Sequence, residues 1–386
     1  MRWKSVLSHI GCALLGALVT FTVLFVFLDF RPESKLGRLE CIIDKRYIGI
    51  EDVDMQQVED AAANAMVNAL GDRWSYYLNE AAYENNISTR NNTYVGIGVS
   101  IFTELQDGCI VVEQVTPGGP AEEAGILAGD RIRDVAGESV ESMGLSEAQS
   151  RIRGKAGTSI ELTVLRDGQE LTLSVERKEI ETQIVTKELL DGNVGYVRIV
   201  NFRGRSSAEA QAAVEDLMAQ GATSLIFDVR FNPGGFVSEL ADLLDYLMPE
   251  GVVFRSVDYT GKEEIYESDA DCIDLPMVVL VNGDSYSAAE HFAATLKEAG
   301  LATVVGQKTV GKGRFQVVYS LLDGSGVGLS IGKYFTPGGV NMQDEGGLVP
   351  DVTVEVDEDT YASIRAATLS PADDPQVQAA LEVLKG

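Results

Sequence analysis

The chain has 386 residues, of which 45% are apolar and 23% charged, so it is long enough for two or three domains with hydrophobic cores. It carries 59 Asp and Glu against 31 Lys and Arg, and the net charge of -28 argues against binding to phosphate backbones. Four cysteines without a CxxC spacing and only two histidines exclude a disulfide scaffold and a metal centre built from several imidazoles.

The N-terminal segment contains an apolar run, residues 6–28, without any Asp, Glu, Lys or Arg. As a helix this run would reach about 34 Å, enough to cross a hydrocarbon layer of roughly 30 Å. A cleaved signal peptide is the alternative, but its apolar region is shorter and ends in small residues, whereas this run ends in Val26, Phe27 and Leu28. We therefore expect residues 1–35 to form a transmembrane anchor for a soluble, acidic body.

The segment after the anchor predicts a small helical region, residues 36–92. Helical spacing is strongest at residues 53–70, and an aromatic cluster follows at residues 74–78, which we interpret as a packing seam and not as a ligand site. The polar stretch at residues 84–93 indicates an exposed loop or linker.

A β-rich block at residues 93–180 has its own alternation of apolar and polar positions, which predicts a separate domain. Strand-like runs occur at residues 95–101 and 110–115. A hairpin is predicted between residues 160–165 and 171–175, because Asp167 and Gly168 are typical of a tight turn.

From residue 181 to residue 356, strands alternate with helices, and this alternation predicts a layered α/β core with crossover connections. The predicted strands are residues 195–200, 224–229, 277–281 and 303–305, and the predicted helices are residues 207–220, 236–247 and 288–298. An amphipathic stretch at residues 375–384 predicts a terminal helix in a C-terminal helical tail, residues 357–386.

Ser287 stands where a buried strand turns into a helix, at residues 278–291. The N-H groups at a helix N-terminus are unpaired, so the N-H of Ala288 would stabilise an oxyanion formed by attack of Ser287. A second buried strand is followed by a turn at Gly234 and Gly235 into another helix, and paired glycines can point their N-H groups into a cleft. From the local sequence alone, a simple helix N-cap and a simple turn remain the alternatives.

A serine nucleophile needs a base, and Lys312, between two glycines after a predicted strand, is a candidate. Lowering a lysine pKa from about 10.4 to about 7 costs about 4.6 kcal/mol, which full burial can achieve. One alternative is that Lys312 is an exposed loop lysine. Another is a serine-histidine hydrolase in which His291, one helical turn after Ser287, is the base.

Taken in order, these segments resemble the carboxyl-terminal processing proteases, also called tail-specific proteases, which are serine peptidases with a serine-lysine dyad. The resemblance covers nearly the whole chain after the expected anchor. It rests on the Gly-Asp-Arg-Trp-Ser-Tyr-Tyr-Leu run at 71–78, the PDZ-like segments at 96–98 and 120–130, Asp-Val-Arg-Phe-Asn-Pro-Gly-Gly at 228–235, Asn-Gly-Asp-Ser-Tyr-Ser-Ala-Ala-Glu at 282–290, Gly-Lys-Gly at 311–313, and the closing motifs at 334–337 and 347–351.

The resemblance implies a multidomain α/β fold with a PDZ domain and a layered, crotonase-like protease core. It implies a catalytic set in which Ser287 is the nucleophile, Lys312 the base and Gln316 the residue that orients the base. The oxyanion hole would be formed by the N-H groups of Ala288 and of Gly234 or Gly235.

In the PDZ domain, the resemblance implies that Gly96, Ile97, Gly98 and Val99 bind the free carboxylate of a protein tail, which adds as a strand to the sheet. Substrates would be proteins or peptides with free C-termini, and no metal or organic cofactor would be required. Together with the expected anchor, which makes this a single-pass protein of the cell membrane, the resemblance implies an extracytoplasmic catalytic body. It also implies helical termini that can pair two subunits.

Three residues depart from the family pattern. Asp284 replaces a usual glycine, Tyr286 replaces a usual alanine, and His291 stands where an apolar residue is common. A carboxylate and a bulky ring before the nucleophile could narrow the cleft or raise the lysine pKa. A catalytically inactive, PDZ-based scaffold that binds peptides is therefore a further alternative.

Overall fold

The computed structural model describes residues 34–102 and 104–385. The chain forms two compact units that divide between Ala65 and Met66. The first unit contains α1 (Lys35–Arg46), a 3-10 turn (Ile50–Asp52) and the start of α2 (Met55–Asn68). No helix within residues 34–102 and 104–385 is long and apolar enough to cross a bilayer, and the apolar run predicted as an anchor lies outside these residues.

The second unit begins with two elements that the sequence analysis did not predict. β1 (Tyr76–Leu78) lies within the aromatic cluster, and α3 (Glu80–Arg90) occupies most of the stretch that was predicted to be a loop, so the loop prediction was wrong. The helix forms because Asn79 caps it, accepting a hydrogen bond from the N-H of Ala82 at 3.0 Å, and because Arg90 lies in its last turn.

The β-rich block follows. Its elements are β2 (Thr93–Gly96), β3 (Val99–Ile101), β4 (Ile110–Val115), α4 (Pro120–Glu123), β5 (Arg131–Val135), β6 (Glu138–Ser139), α5 (Val140–Met143), α6 (Leu145–Ile152), β7 (Ser159–Arg166), β8 (Gln169–Glu176) and β9 (Lys178–Glu181). Strands β3, β4, β5, β7 and β8 form an antiparallel sheet with β3 at its edge, and β2 pairs with β9. The predicted hairpin is present as β7 and β8, with Asp167 and Gly168 at positive φ in its turn.

The remaining elements form the α/β region. They are β10 (Val185–Leu190), β11 (Val194–Ile199), α7 (Ser206–Ala219), β12 (Ser224–Asp228), α8 (Val237–Leu247), β13 (Gly251–Asp258), β14 (Glu263–Ser268), β15 (Met277–Val281), α9 (Ala288–Glu298), β16 (Ala302–Gly306), β17 (Arg314–Ser320), β18 (Gly326–Phe335), β19 (Val352–Thr353), α10 (Glu358–Arg365) and α11 (Pro375–Lys385). The predicted strands and helices of this region are all present, and the predicted terminal helix is α11.

Two sheets organise this region. The first has the strand order β10-β11-β12-β15-β16-β19 and is parallel except for β10. The second is antiparallel, with the order β1-β18-β13-β14 and with β17 also paired to β18. Helices α7, α8 and α9 pack their apolar residues on one face of the first sheet, and α11 packs on the other face.

The parallel strands set the position of the site. β12, β15 and β16 are neighbours in the sheet and run in the same direction, so their carboxyl ends meet at one edge. The segments that follow these ends are residues 229–236, 282–287 and 307–313. Ligand sites of open α/β sheets form at this edge, and here it collects the three segments that the sequence analysis singled out.

Candidate active site

A cavity of about 300 Å³ lies beside the three segments. Four of the predicted site residues line it: Ser287, Lys312, Gln316 and Gly235. Ala288 directly follows Ser287 in the chain and begins α9. We refer to this cavity as the catalytic cleft.

Ser287 has a strained backbone conformation. Its φ of 60° and ψ of -122° lie outside the regions that residues other than glycine prefer, and its side chain is almost fully buried. Its N-H donates to Oε2 of Glu290 at 2.9 Å, which holds the turn. The neighbouring Ser285 has a different environment, because its Oγ donates to the carbonyl of Val229 at 2.8 Å deep in the protein. Of these two serines, only Ser287 faces the cleft.

Two backbone N-H groups are available for an oxyanion. Among the described residues, the N-H groups of Ala288 and Gly235 have no hydrogen-bond partner. The N-H of Gly234, by contrast, donates to Oδ1 of Asn232 at 2.8 Å, so Gly235 is the better donor of the glycine pair. Gly234 has a φ of +80°, and a Cβ there would lie 2.8 Å from both the nitrogen of Ala288 and the Cβ of Ser287. This close approach requires glycine.

Lys312 is partly buried and lies against aromatic rings. Its Nζ is 4.9 Å from the ring centroid of Trp74 and 5.7 Å from that of Tyr286. Burial, together with the positive charge of Arg203, lowers the pKa of the Lys312 amine to about 8. In the part of the chain that the structure describes, Nζ has no hydrogen bond to Ser287 Oγ. Such bonds are often long in a free enzyme and shorten when a substrate is bound.

Gln316 lines the same cleft, but its amide is engaged elsewhere. Its Nε2 donates to Oγ of Ser330 at 2.9 Å and to the carbonyl of Arg314 at 3.3 Å. No hydrogen bond joins Gln316 to Lys312 among the described residues. Its role as the residue that orients the base stays a prediction.

His291 lies away from the cleft. It is fully buried, edge-on to Phe254 at 5.3 Å and to Tyr334 at 5.4 Å between ring centroids. Burial lowers the pKa of its imidazole to about 3, so the ring is neutral. Neither ring nitrogen has a hydrogen-bond partner among the described residues, Ser287 included. This geometry gives no support to a serine-histidine pair.

Aromatic residues contribute more to the cleft than the sequence indicated. The cluster at residues 74–78 was interpreted as a packing seam, yet Trp74 and Tyr76 line the cleft. The ring of Trp74 stacks on that of Tyr286, with centroids 6.0 Å apart. The tyrosine that replaces a usual alanine therefore forms part of the surface on which the Lys312 ammonium lies.

Sequence reasoning also missed Glu290. This buried carboxylate accepts hydrogen bonds from the N-H groups of Ser287, Gly311 and Lys312 and from the hydroxyl of Thr309. Burial raises the pKa of the Glu290 carboxyl, although these four hydrogen bonds act to lower it. The serine turn and the lysine loop are thus joined by one side chain. A glutamate three residues after an N-cap serine is the signal that could have indicated it.

Asp284, another of the three departures from the family pattern, is bound by the C-terminal tail. Its carboxylate accepts a hydrogen bond from the hydroxyl of Tyr361 in α10 at 2.9 Å. Burial and this bond raise the pKa of Tyr361 to about 12. The ring of Tyr361 also packs edge-on against Phe231, with 4.8 Å between centroids. Asp284 therefore joins the serine turn to the C-terminal tail.

The predicted carboxylate-binding loop of the β-rich block has free donors. The carbonyls of Ile97 and Gly98 accept from the N-H groups of Ala121 and Thr116 at 2.8 and 2.9 Å. The N-H groups of Ile97 and Gly98 themselves have no partner among the described residues. Beside this loop, β3 is an edge strand, which is the geometry that allows a peptide to add to a sheet.

Comparison with known proteins gives a match for the α/β region and a match for the β-rich block. The family model for peptidase family S41 matches residues 193–354, and that for the PDZ domain matches residues 111–166. Carboxy-terminal processing protease CtpA of Bacillus subtilis is 33% identical over 314 residues, which are 81% of this chain and 66% of the relative. The carboxyl-terminal-processing protease of Synechocystis sp. is 33% identical over 334 residues, which are 84% of this chain and 76% of the relative.

A solved structure assigned to an S41 protease of Bacteroides fragilis has the same fold, with a TM-score of 0.56 at 16% identity, over 90% of this chain and 96% of that one. The predicted family and the predicted class of enzyme, a serine-type peptidase, are confirmed. The chain belongs to peptidase family S41, with a mixed α/β protease fold and a PDZ domain.

Proposed function

We propose that this S41 peptidase is an endopeptidase that binds protein C-terminal tails through its PDZ domain and cleaves them with a dyad of Ser287 and Lys312. One observation carries the proposal. A strained serine at a helix start, a lysine of lowered pKa and two unpaired N-H groups lie around a single cleft.

In the proposed reaction, the neutral Nζ of Lys312 takes the proton of Ser287 Oγ as Oγ attacks the peptide carbonyl. The N-H groups of Ala288 and Gly235 hold the negative oxygen of the tetrahedral intermediate. The resulting Lys312 ammonium returns its proton to the leaving amine, and an acyl-enzyme remains. Water then attacks the ester in the same way and releases the acid product.

The tail is recognised before it is cleaved. Its terminal carboxylate would accept hydrogen bonds from the free N-H groups of Ile97 and Gly98, within the loop from Gly96 to Val99. The residues before the carboxylate would pair with the open edge of β3. Peptides of many different sequences can form the same backbone hydrogen bonds, so selectivity among tails has to come from side-chain pockets elsewhere.

The location of the protein is part of the proposal. Residues 1–35 would anchor it as a single-pass protein of the cell membrane with the catalytic body outside the cytoplasm, and helical termini would pair two subunits. The apolar run at residues 6–28 supports the anchor. Protease treatment of intact cells tests the orientation: an extracytoplasmic body is degraded and a cytoplasmic one is protected.

The dyad is tested with Ser287→Ala and Lys312→Ala on an unfolded protein substrate. Each variant is expected to lose at least about 10³-fold in kcat. Lys308→Ala is the matched control, because Lys308 is an exposed lysine of the same loop. Full activity in either dyad variant would exclude the dyad. A wild-type protein that binds tails, cleaves nothing and resists serine-directed probes would be the inactive scaffold.

A further inference from the structure

The catalytic cleft has a charge opposite to that of the chain. Besides Lys312, three arginines line it, Arg73, Arg90 and Arg203, and among the described residues no Asp or Glu lines it. The whole chain has 59 acidic residues against 31 basic ones. A basic cleft therefore does not follow from composition and needs a separate explanation.

Among the described residues, the three guanidinium groups have no acidic partner within salt-bridge distance. Arg73 lies over the ring of Trp74, 4.2 Å from its centroid, and Arg90 lies over the ring of Phe236, at 5.0 Å. Aromatic faces position these two groups without neutralising them. Arg203 is partly buried, and this burial lowers the pKa of its guanidinium, as expected for a cation that has lost water and gained no counterion.

The carboxylates that act on Lys312 from outside the cleft are already engaged. Asp72 accepts hydrogen bonds from the hydroxyl of Ser75 at 2.7 Å and pairs with Arg314 at 3.3 Å. Glu290 accepts its four donors from the serine turn and the lysine loop. The positive charge of the three arginines thus remains available to a ligand.

The chemistry of that ligand follows from the guanidinium fork. Arginine presents parallel N-H donors that match the two oxygens of a carboxylate. In a cleft where a peptide is cleaved, a carboxylate has two sources: the side chain of a Glu or Asp near the scissile bond, or the α-carboxylate of a chain that ends close to it.

We propose that Arg73, Arg90 and Arg203 form a carboxylate-binding subsite of the catalytic cleft. The enzyme then selects peptides that carry a negative group within a few residues of the bond that Ser287 attacks. The inference rests on the proposed peptidase function and adds the class of substrate to it. It also explains how a protein that binds tails through backbone groups distinguishes one tail from another.

A competing explanation is that the arginines only repel protons from Lys312. The two roles separate in kinetics. A binding subsite acts on the difference between acidic and neutral substrates, mainly through KM. A purely electrostatic effect on Lys312 would change the rates of both substrates by the same factor and leave their ratio unchanged.

The test uses pairs of internally quenched peptides that share one C-terminal tail and differ by Glu or Gln at a single position, scanned over three residues on each side of the scissile bond. Wild type is expected to cleave the Glu peptide at least about tenfold more efficiently at one position, and high salt should reduce the difference. Arg203→Gln and Arg90→Gln should bring the ratio close to one. Arg255→Gln, which removes an arginine of β13 that pairs with Glu263 and does not line the cleft, should leave the ratio unchanged.

A second pair identifies the source of the carboxylate. These peptides end two residues after the scissile bond, with either a free acid or an amide. A preference for the free acid that Arg203→Gln abolishes supports the subsite with an α-carboxylate ligand. Equal cleavage of all acidic and neutral pairs by wild type, or a preference that survives Arg203→Gln, overturns the proposal.

Failure of the subsite and failure of the proposed function have different signatures. If wild type cleaves the peptides without preference, the peptidase stands and the subsite falls. If no peptide is cleaved, the same Glu and Gln peptides are titrated against Ser287→Ala by fluorescence anisotropy. Tighter binding of the Glu peptide that is lost in the double variant with Arg203→Gln supports the subsite without the reaction, and equal binding excludes it.

Discussion

The carboxylate of Glu290 accepts the backbone N-H of Lys312 at 2.8 Å, although the two residues belong to different segments of the core. The same oxygen accepts the N-H of Ser287, so one side chain fixes the spacing between the turn that carries Ser287 and the loop that carries Lys312. Because a carboxylate only accepts hydrogen bonds, it suits a position that faces several donors.

Glu290→Gln is predicted to reduce kcat by about 10 to 100-fold with little change in KM. The substituted amide turns an NH₂ group toward N-H donors, so at least one hydrogen bond is lost and the two segments move apart. Steady-state kinetics measure the split between kcat and KM. Glu298→Gln is the control, since Glu298 is an exposed glutamate in the same helix. Unchanged kcat in Glu290→Gln would show that the spacing does not depend on this carboxylate.

The pH dependence of kcat/KM should rise with pH through a midpoint near pH 8. In the proposed reaction Lys312 must be neutral to act as the base, and burial lowers its pKa to about 8, so activity should be lost as the pH falls below that value. Arg203 contributes to the lowered pKa through its positive charge. Arg203→Gln should therefore move the midpoint upward, and a midpoint that stays in place would contradict this coupling.

Lys312→Met is predicted to be inactive yet more stable than wild type at pH 7. Because the pKa of Lys312 is lower in the folded than in the unfolded state, burial of its charge destabilises the fold. This penalty has its full size below pH 8. The penalty disappears as the pH rises toward the ordinary lysine value. Denaturant unfolding of both proteins from pH 7 to pH 10 measures it. A stability difference that does not shrink with pH would exclude a buried charge as its cause.

Gly235→Ala should abolish activity and disturb the cleft. A Cβ at this position would lie 1.8 Å from the carbonyl oxygen of Phe202, so the loop that carries the second oxyanion donor must move. Loss of one such donor alone costs about 10² to 10³-fold in kcat. Gly251→Ala is the control, because the nearest atom to its Cβ would be 3.9 Å away. Peptidase assays with thermal unfolding distinguish loss of the donor from loss of the fold.

Gly98→Ala should weaken binding of tail peptides by at least about tenfold while leaving cleavage of short peptides intact. Gly98 has a φ of +79°, and a Cβ there would lie 3.3 Å from Ile180 Cδ1, so the loop would have to shift. Gly168→Ala places the same backbone strain in the β7–β8 turn, where nothing lies within 4 Å, and serves as control. Equal loss of tail binding in both variants would indicate general destabilisation.

Asp228→Asn is predicted to destabilise the protein by about 3–5 kcal/mol. The buried carboxylate of Asp228 pairs with Arg230 at 2.6 Å and accepts the hydroxyl of Tyr196. Neutralising it removes one of the two carboxylates that balance the buried Arg230 and leaves only Asp374 among the described residues. Asp216→Asn removes an exposed pair with Lys187 and should destabilise the protein far less, because solvent screens an exposed pair. Urea unfolding compares the two.

The parallel sheet was predictable because its strands are buried on both faces. Residues 225–227 and 278–281 are continuous apolar runs, and such runs are typical of central parallel strands. The turn that carries Ser287 and the turn at Gly234 and Gly235 were predicted for the same reason, since each comes directly after such a strand. Local sequence was sufficient wherever burial was complete.

The antiparallel sheet was missed, and β18 gives the physical reason. Glycines replace the side chains that would have indicated a strand, because aromatic rings lie against the backbone there. A Cβ at Gly328 would be 2.4 Å from the ring of Tyr76, and one at Gly332 would be 2.2 Å from that of Phe315. The pattern that makes this strand possible is distributed over distant parts of the chain.

The basic cleft was not predictable either. Arg73, Arg90 and Arg203 come from a loop, the end of α3 and the loop after β11, and no spacing connects them. The net charge of the chain would instead have predicted an acidic cleft. Their convergence is a product of the tertiary fold alone.

The closing part of the chain contacts two segments beside the cleft. Asp374 and Gln376 hold Arg230 at 2.8 and 2.9 Å, and Tyr361 holds Asp284, so the strand end beside the glycine turn and the serine turn are both secured by residues translated long after Ser287. Without Tyr361, Asp374 and Gln376, both Asp284 and Arg230 lose these partners, so the tail helps to hold the two segments beside the cleft in place.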